Sequence, residues 1–504
     1  MKLKSLLLVA SLIACISSHA FAVTTQPTQA KLAQLQNQLN ALQHQVYLLK
    51  QQNKNYRAAK RRVYVSKKSN KKSNKKSSKK SSKKCRMIKH SRFYAFNDSV
   101  VIAPYTEQAT FNTGDELIVN APTINEDAKL LYMRYLEQHA MLPSERAAVA
   151  HPRLLLSGNI EAKAIYEDPY TGSHVSDIDL SWAEFDIFAE VSKWVNGFMA
   201  ITYDNSAIAA NSNRISNSNI TLDRGFLLFG NFVKSHWYGS VGQVYVPFGR
   251  YGSNMITDPL TKYIGKTKAR AITVGYSPTC EHNSPYGRVF VFQGASKYRN
   301  NNDINNGGVD VGFITGSDKF STDIGVSYIY NIADSDGMQN NDIATAGFFR
   351  GFDVINLENI AHRVAGGDVH GMVKYGPFNV IGEYVAALRR FNVNNLSYNL
   401  QGAKPSAFNV EGAYAFMLFT HPSSVAIGYS ASRQALALNI PKQRYYTSFA
   451  MTVLNNTKAT LEYRHDKNYG AGDTAMGQNL NAVVNNNQLG KTDNAVTARL
   501  NVYF

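Results

Sequence analysis

Asp493-Asn494-Ala495-Val496-Thr497-Ala498-Arg499-Leu500-Asn501-Val502-Tyr503-Phe504 ends the chain in unbroken alternation. Val496, Ala498, Leu500, Val502 and Phe504 fall on one face. Thr497, Arg499, Asn501 and Tyr503 fall on the other. Period 2 is the signature of a β-strand with one apolar and one polar side. An ordinary amphipathic strand would turn the apolar side to a protein core. The rest of the chain decides between that arrangement and its inverse.

Working back from the terminus, segments of about ten alternating residues recur as far as Arg153. They lie near 153–167, 177–191, 198–204, 222–232, 236–248, 266–276, 286–296, 306–315, 320–331, 363–375, 378–388, 405–416, 423–432, 442–454, 458–467 and 493–504. Connections after the even-numbered segments are short, such as Trp194-Val195-Asn196-Gly197, Gly376-Pro377 and Asn455-Asn456-Thr457. Those after odd-numbered segments include the long Asn- and Ser-rich stretches 204–222, 332–362 and 468–492. An even strand count with this loop parity implies an all-β fold, a 16-stranded antiparallel transmembrane β-barrel with both ends on the periplasmic side. The 29 Tyr and 25 Phe suit aromatic girdles at two membrane interfaces. A β-sandwich is the competing soluble architecture, and it would not end on an outward aromatic.

The beginning of the chain reads as export. Two lysines within Met1–Lys4, an apolar Ser5–Ile16 and Ala20-Phe21-Ala22 form a signal peptide, residues 1–22, too short in its apolar core to span a bilayer. Leu12-Ile13-Ala14-Cys15 also reads as a lipobox, which would lipidate Cys15. Within 23–53, Leu32, Leu35, Leu39, Leu42, Val46 and Leu49 are spaced as a heptad seam, implying a periplasmic coiled coil and a homo-trimer. Residues 54–97 hold the Lys-Lys-Ser-Asn and Lys-Lys-Ser-Ser repeats between Lys67 and Lys84.

The formal charge of +18 comes from this part of the chain, because residues 1–97 carry 22 Lys or Arg and no Asp or Glu. Such a tract implies a disordered linker, a plain spacer or one touching lipid phosphate or peptidoglycan. Export excludes nucleic acid as its partner. Cys85 and Cys280 remain after signal cleavage in an oxidising compartment, either bonded or as two unrelated thiols. Residues 98–152 form a bridging segment beneath the barrel. A helix capped by Thr123 or Asn125 would run there through Leu130, Leu131 and Leu136 toward Pro143 and could tuck into the pore mouth.

Alternation also nominates pore-lining residues: Glu161, Lys163, Glu184, Asp186, Glu190, Asp368, His370, Lys374, Glu411, Glu462, Arg464, Asp466 and Arg499. In hydrocarbon such charges cost a few kcal/mol each, so this face must be wet. The wall is either a substrate ladder or a set of charges satisfying one another. Enzyme motifs are broken. Gly265-Lys266-Thr267 lacks the earlier glycine of a phosphate loop, and no G-x-S-x-G elbow is present. Asp334-Ser335-Asp336-Gly337 hints at calcium without the spaced ligands of an EF-hand. No metal site or cofactor is expected, and no enzymatic activity.

The closing strand ending on Phe504 resembles the assembly signal of bacterial outer-membrane barrels. The heptad segment, Leu117-Ile118-Val119-Asn120-Ala121-Pro122-Thr123-Ile124-Asn125-Glu126-Asp127 and Gly242-Gln243-Val244-Tyr245-Val246-Pro247-Phe248-Gly249 together resemble the LbtU-type siderophore porins, the legiobactin-receptor family. There is a more distant likeness to Francisella iron-acquisition outer-membrane proteins. The resemblance implies a sixteen-stranded barrel that imports a ferric siderophore without a plug domain. The alternatives are a general trimeric porin or an envelope-tethering surface protein.

Overall fold

The structure, a computed structural model, describes residues 100–102, 119–120, 124–141, 151–205, 218–277, 284–298, 303–316, 320–339, 349, 351–352, 359–476 and 488–504. The signal segment, the heptad seam, the basic tract, Cys85 and Cys280 lie outside them.

The sixteen expected segments are strands: β1 (Arg153–Asp168), β2 (Val175–Glu190), β3 (Val195–Asn205), β4 (Ser218–Gly230), β5 (Trp237–Tyr245), β6 (Lys268–Tyr276), β7 (Ser284–Phe292), β8 (Asn306–Gly316), β9 (Phe320–Ile329), β10 (Gly366–Tyr375), β11 (Phe378–Ala387), β12 (Ser406–Leu418), β13 (His421–Arg433), β14 (Gln443–Leu454), β15 (Thr457–Lys467) and β16 (Thr492–Tyr503). Each pairs antiparallel with the next. β16 also pairs with β1, from Asn159↔Tyr503 to Asp168↔Asn494, and this closes the barrel. Beyond β16 the backbones of Gly158 and Phe504 exchange hydrogen bonds of 2.8 and 2.9 Å. A Cβ on Gly158 would lie 2.5 Å from the Phe504 ring, so the terminal aromatic sits where only glycine leaves room. Past that point Val100–Ile102 runs parallel to Leu154–Leu156.

The barrel is apolar outside and polar inside. Ile427 is 70% exposed while Glu411 on the neighbouring strand is 1% exposed. Val289, Ile272 and Val380 face out in the same way, and Arg224, Asp310 and Asn501 are buried. A lipid surround stabilises the first set, and a polar interior the second. This is the inverse of a sandwich core. At the near end, where β1 begins and β16 finishes, turns are tight. Phe419 and Thr420 both take positive φ between β12 and β13, as a type I′ turn requires. Exposed Trp194, Trp237, Phe378 and Phe419 ring that end. The far end carries the long connections.

Several expected boundaries move by a few residues. Alternation predicts strand 5 to 248, but β5 stops at Tyr245, two residues before Pro247, which has no N–H for the ladder, and Gly249 at φ 77° then turns the chain into the barrel. The connection 246–267, with helix α2 (Leu260–Gly265), fills the lumen midway along the strands. The helix expected in the bridging segment is α1 (Glu126–Ala140). Its cap is Asn125 in the left-handed region without a side-chain bond, and the Asp127 carboxylate instead accepts from the Ala128 amide at 2.7 Å. As the pore-mouth expectation has it, the helix enters the barrel. It lies inside, with Leu130, Leu131 and Met133 buried in one cluster with Phe188, Phe198, Phe226 and Leu228 of the β2–β4 wall.

Candidate functional site: an occupied lumen

All thirteen nominated pore-lining residues lie on the inner alternation of their strands, and the structure gives most of them a protein partner. The inserted loop is held by wall carboxylates that accept from its backbone. Glu462 on β15 accepts from the amides of Ile256 (2.5 Å) and Thr257 (3.1 Å) and from the Thr257 hydroxyl (2.5 Å). Glu411 on β12 accepts from the Asn254 amide and the Ser253 hydroxyl, both at 2.7 Å. Glu383 on β11, which alternation alone did not single out, accepts from the Arg250 and Tyr251 amides at 2.7 and 3.1 Å and from Thr261 at 2.7 Å. Three carboxylates thus grip one stretch of main chain. Hydrogen bonds to a charged acceptor are the stronger kind, and each offsets part of the cost of burying a carboxylate.

On the opposite wall the partners belong to α1. Arg224 of β4 reaches Glu126 at 2.7 Å, Glu184 at 2.6 Å and Asp223 at 3.1 Å. Asp127 accepts from Ser240 at 2.6 Å. Arg134 of the helix meets Glu190 at 3.0 Å, and Arg153 meets Glu137 at 2.5 Å and Glu190 at 3.5 Å. The helix therefore runs from mid-barrel at Glu126 down to the near rim at Glu137. Burial outweighs the Arg224 attraction and pushes the Glu126 carboxyl up to about 8. Burial also raises Asp127 and Glu137.

The remaining nominated residues form lateral pairs. Arg444 bonds Asp466 through two 2.8 Å contacts, and Arg464 bridges Glu167 at 2.7 Å and Asp493 at 2.9 Å. Arg499 bonds Glu161 at 3.1 Å and the Val119 carbonyl at 2.7 Å. Val119 and Asn120 are also tied to Ser253 of the inserted loop, so both intruding segments touch. His370 lies between Asp368 at 2.6 Å and the Tyr286 hydroxyl at 3.1 Å. Lys163 and Lys374 are half-buried on the same inner face. The inward residues that sequence reasoning missed, Arg224, Arg288, Asp310, Glu383 and Arg444 of the wall and Arg250 of the inserted loop, all bind to the intruding segments or to one another. The missed signal was Phe248, Tyr251, Met255, Leu260 and Ile264, apolar residues inside a connection that a solvated loop does not need.

At the calcium hint, the Asp334 and Asp336 carboxylates have protein partners. Asp334 accepts from the Ser296 amide, Asn306 and Asn331, and Asp336 accepts from the Lys268 amide. The described residues contain no metal-holding cluster of acidic, His or Cys side chains. The described part of the long 332–362 connection packs inward: α3 (Asp336–Gln339) lies against α2, and Phe352 stacks on Phe391 at 5.6 Å.

No family model matches this chain. A UPF0422 protein of Coxiella burnetii is 35% identical over 505 residues, covering 99% of this chain and 100% of that protein. The chain belongs to the UPF0422 family. A UPF0422 protein of Legionella pneumophila (strain Philadelphia 1) is also 35% identical, over 82% of this chain and 78% of its own length. Among solved structures, the outer-membrane channel DcaP of Acinetobacter baumannii has a TM-score of 0.43 at 15% identity, over 70% of this chain and 97% of that one. OprB of Pseudomonas putida has 0.43 at 9% identity, over 70% and 94%. In this UPF0422 barrel, then, the cross-section is shared by a helix along β1–β5 and a loop clasped by β11–β15.

Proposed function

We propose that this protein is a non-enzymatic outer-membrane channel with its near end in the periplasm. It imports a small solute, and on the LbtU-type resemblance that solute is a ferric siderophore. The observation that carries the channel reading is the pairing of a lipid-compatible exterior with a charged interior, in which polar clasps and apolar packing together narrow the lumen. An obstructed lumen favours a selective importer over a wide general porin.

The test is uptake. In a deletion strain on iron-poor medium, growth on a defined ferric siderophore should require this gene and saturate with concentration. Liposomes carrying the purified protein should show little swelling with sugars. Size-graded sugar flux without saturable chelate uptake would instead make it a general porin.

A further inference from the structure

On the outer face of β11–β15, aromatic rings form a ladder toward the far end. Phe408 contacts Tyr429 at 5.5 Å, Tyr429 contacts Tyr445 at 4.8 Å, and Tyr445 contacts His465 at 6.2 Å. Register places Tyr384 directly beside Phe408, and His465 beside Tyr445. Aromatic side chains in such a row mark the level at which acyl chains give way to headgroups. Cations follow immediately toward the far end. Lys467 lies in the register row of Gln443 and Ala431, Arg433 lies opposite Ser406, and Lys404 is two residues beyond Ser406.

All three cations are exposed, and Arg390 is exposed further along the same rim. No outward position on β11–β15 is Asp or Glu. The near rim of these strands has the reverse character. Its exposed large hydrophobic residues are Phe378, Met417, Phe419 and Leu454, beside uncharged Thr420, Asn455 and Asn456. Adjacent strands lie about 4.8 Å apart, so the cations of β12, β13 and β15 span roughly the width of one large lipid headgroup.

From this geometry we infer that the band of Lys404, Arg433 and Lys467 binds the phosphates of an outer-leaflet glycolipid, lipopolysaccharide. Charge complementarity and the position just above the aromatic ladder carry the inference. It rests on the proposed orientation, which puts the far end outside the cell. Arginine can take a phosphate through two parallel N–H···O bonds, and lysine through its charge.

The test compares the full-length protein with a Lys404→Gln/Arg433→Gln/Lys467→Gln variant in vesicles. The vesicles are phosphatidylcholine alone, or phosphatidylcholine with lipopolysaccharide, with dephosphorylated lipopolysaccharide or with phosphatidylglycerol. Thermal unfolding is read as loss of the fast-migrating folded band on gels. Lipopolysaccharide should raise the native midpoint above that with the dephosphorylated lipid, and the variant should lose the difference while matching the native protein in phosphatidylcholine. An equal rise in the variant, no rise in the native protein, or an equal rise with phosphatidylglycerol would each overturn the inference. Labelling of Arg433→Cys in intact cells with an impermeant maleimide reads orientation separately. Labelling only after permeabilisation would remove the premise, whatever the channel transports.

Discussion

Glu462 shows what the inner charges do at the scale of a residue. Its carboxylate satisfies two loop amides and a hydroxyl of residues 205 and 206 positions away in the chain. Glu462→Ala leaves three donors without that acceptor, at about 1–3 kcal/mol for each one that water fails to reach. The expected result is a barrel destabilised by about 3 kcal/mol in urea titration, with single-channel currents larger and noisier than those of the native protein. Quiet, unchanged currents would mean that Glu383 and Glu411 suffice to hold the loop. Gly158 offers a second case, with the Phe504 ring and the Glu184 carbonyl both within 2.6 Å of where a Cβ would stand. Gly158→Ala should cost about 1–3 kcal/mol through overpacking and slow the appearance of folded, heat-modifiable protein. Deleting Phe504 should restore only part of the loss, because the carbonyl stays in place.

Among the elements, α1 responds to protons. An unfolded glutamate titrates near 4.5, whereas Glu126 in the docked helix is raised to about 8. The docked state thus holds its proton more tightly. Its contribution to docking is complete below about pH 4.5 and fades as pH rises through about 8. Asp127 and Glu137 shift in the same direction. Open probability in planar bilayers should therefore increase from pH 6 to pH 9, and Glu126→Gln should flatten much of that rise by keeping the site neutral. A pH-independent channel would show that the helix does not leave. The helix itself was readable from Glu126 and Asp127 preceding an apolar run. That it could tuck into the pore mouth was also readable, but its depth at mid-barrel was not, because the partners that draw it in, Arg153, Arg224 and Ser240, are brought to one side only when the strands pair. The inserted loop was hidden differently. Val246 and Phe248 carry the alternation of β5 in sequence past its end at Tyr245, so the turn at Pro247 and Gly249 was masked.

For the molecule as a whole, the barrel was legible because one period repeats along the chain and the tight connections come at alternate junctions. Closure followed from the last strand, whose register with β1 now accounts for the terminal alternation residue by residue. The heptad seam remains an expectation for assembly. Changing Leu35, Leu39 and Leu42 to Asp should weaken or remove a trimer band when native membranes are cross-linked, and an unchanged band would reduce that segment to a spacer.

The clasp on the inserted loop has a further consequence. Glu383, Glu411 and Glu462 hold mainly peptide N–H groups, which every residue except proline offers. The hold therefore depends little on which side chains the gripped residues carry. Across descendants of this gene, or in a mutagenesis library, Ile256, half-buried and held through its amide, is free to change what it presents to a passing solute. The frame can stay fixed while the lock is recut.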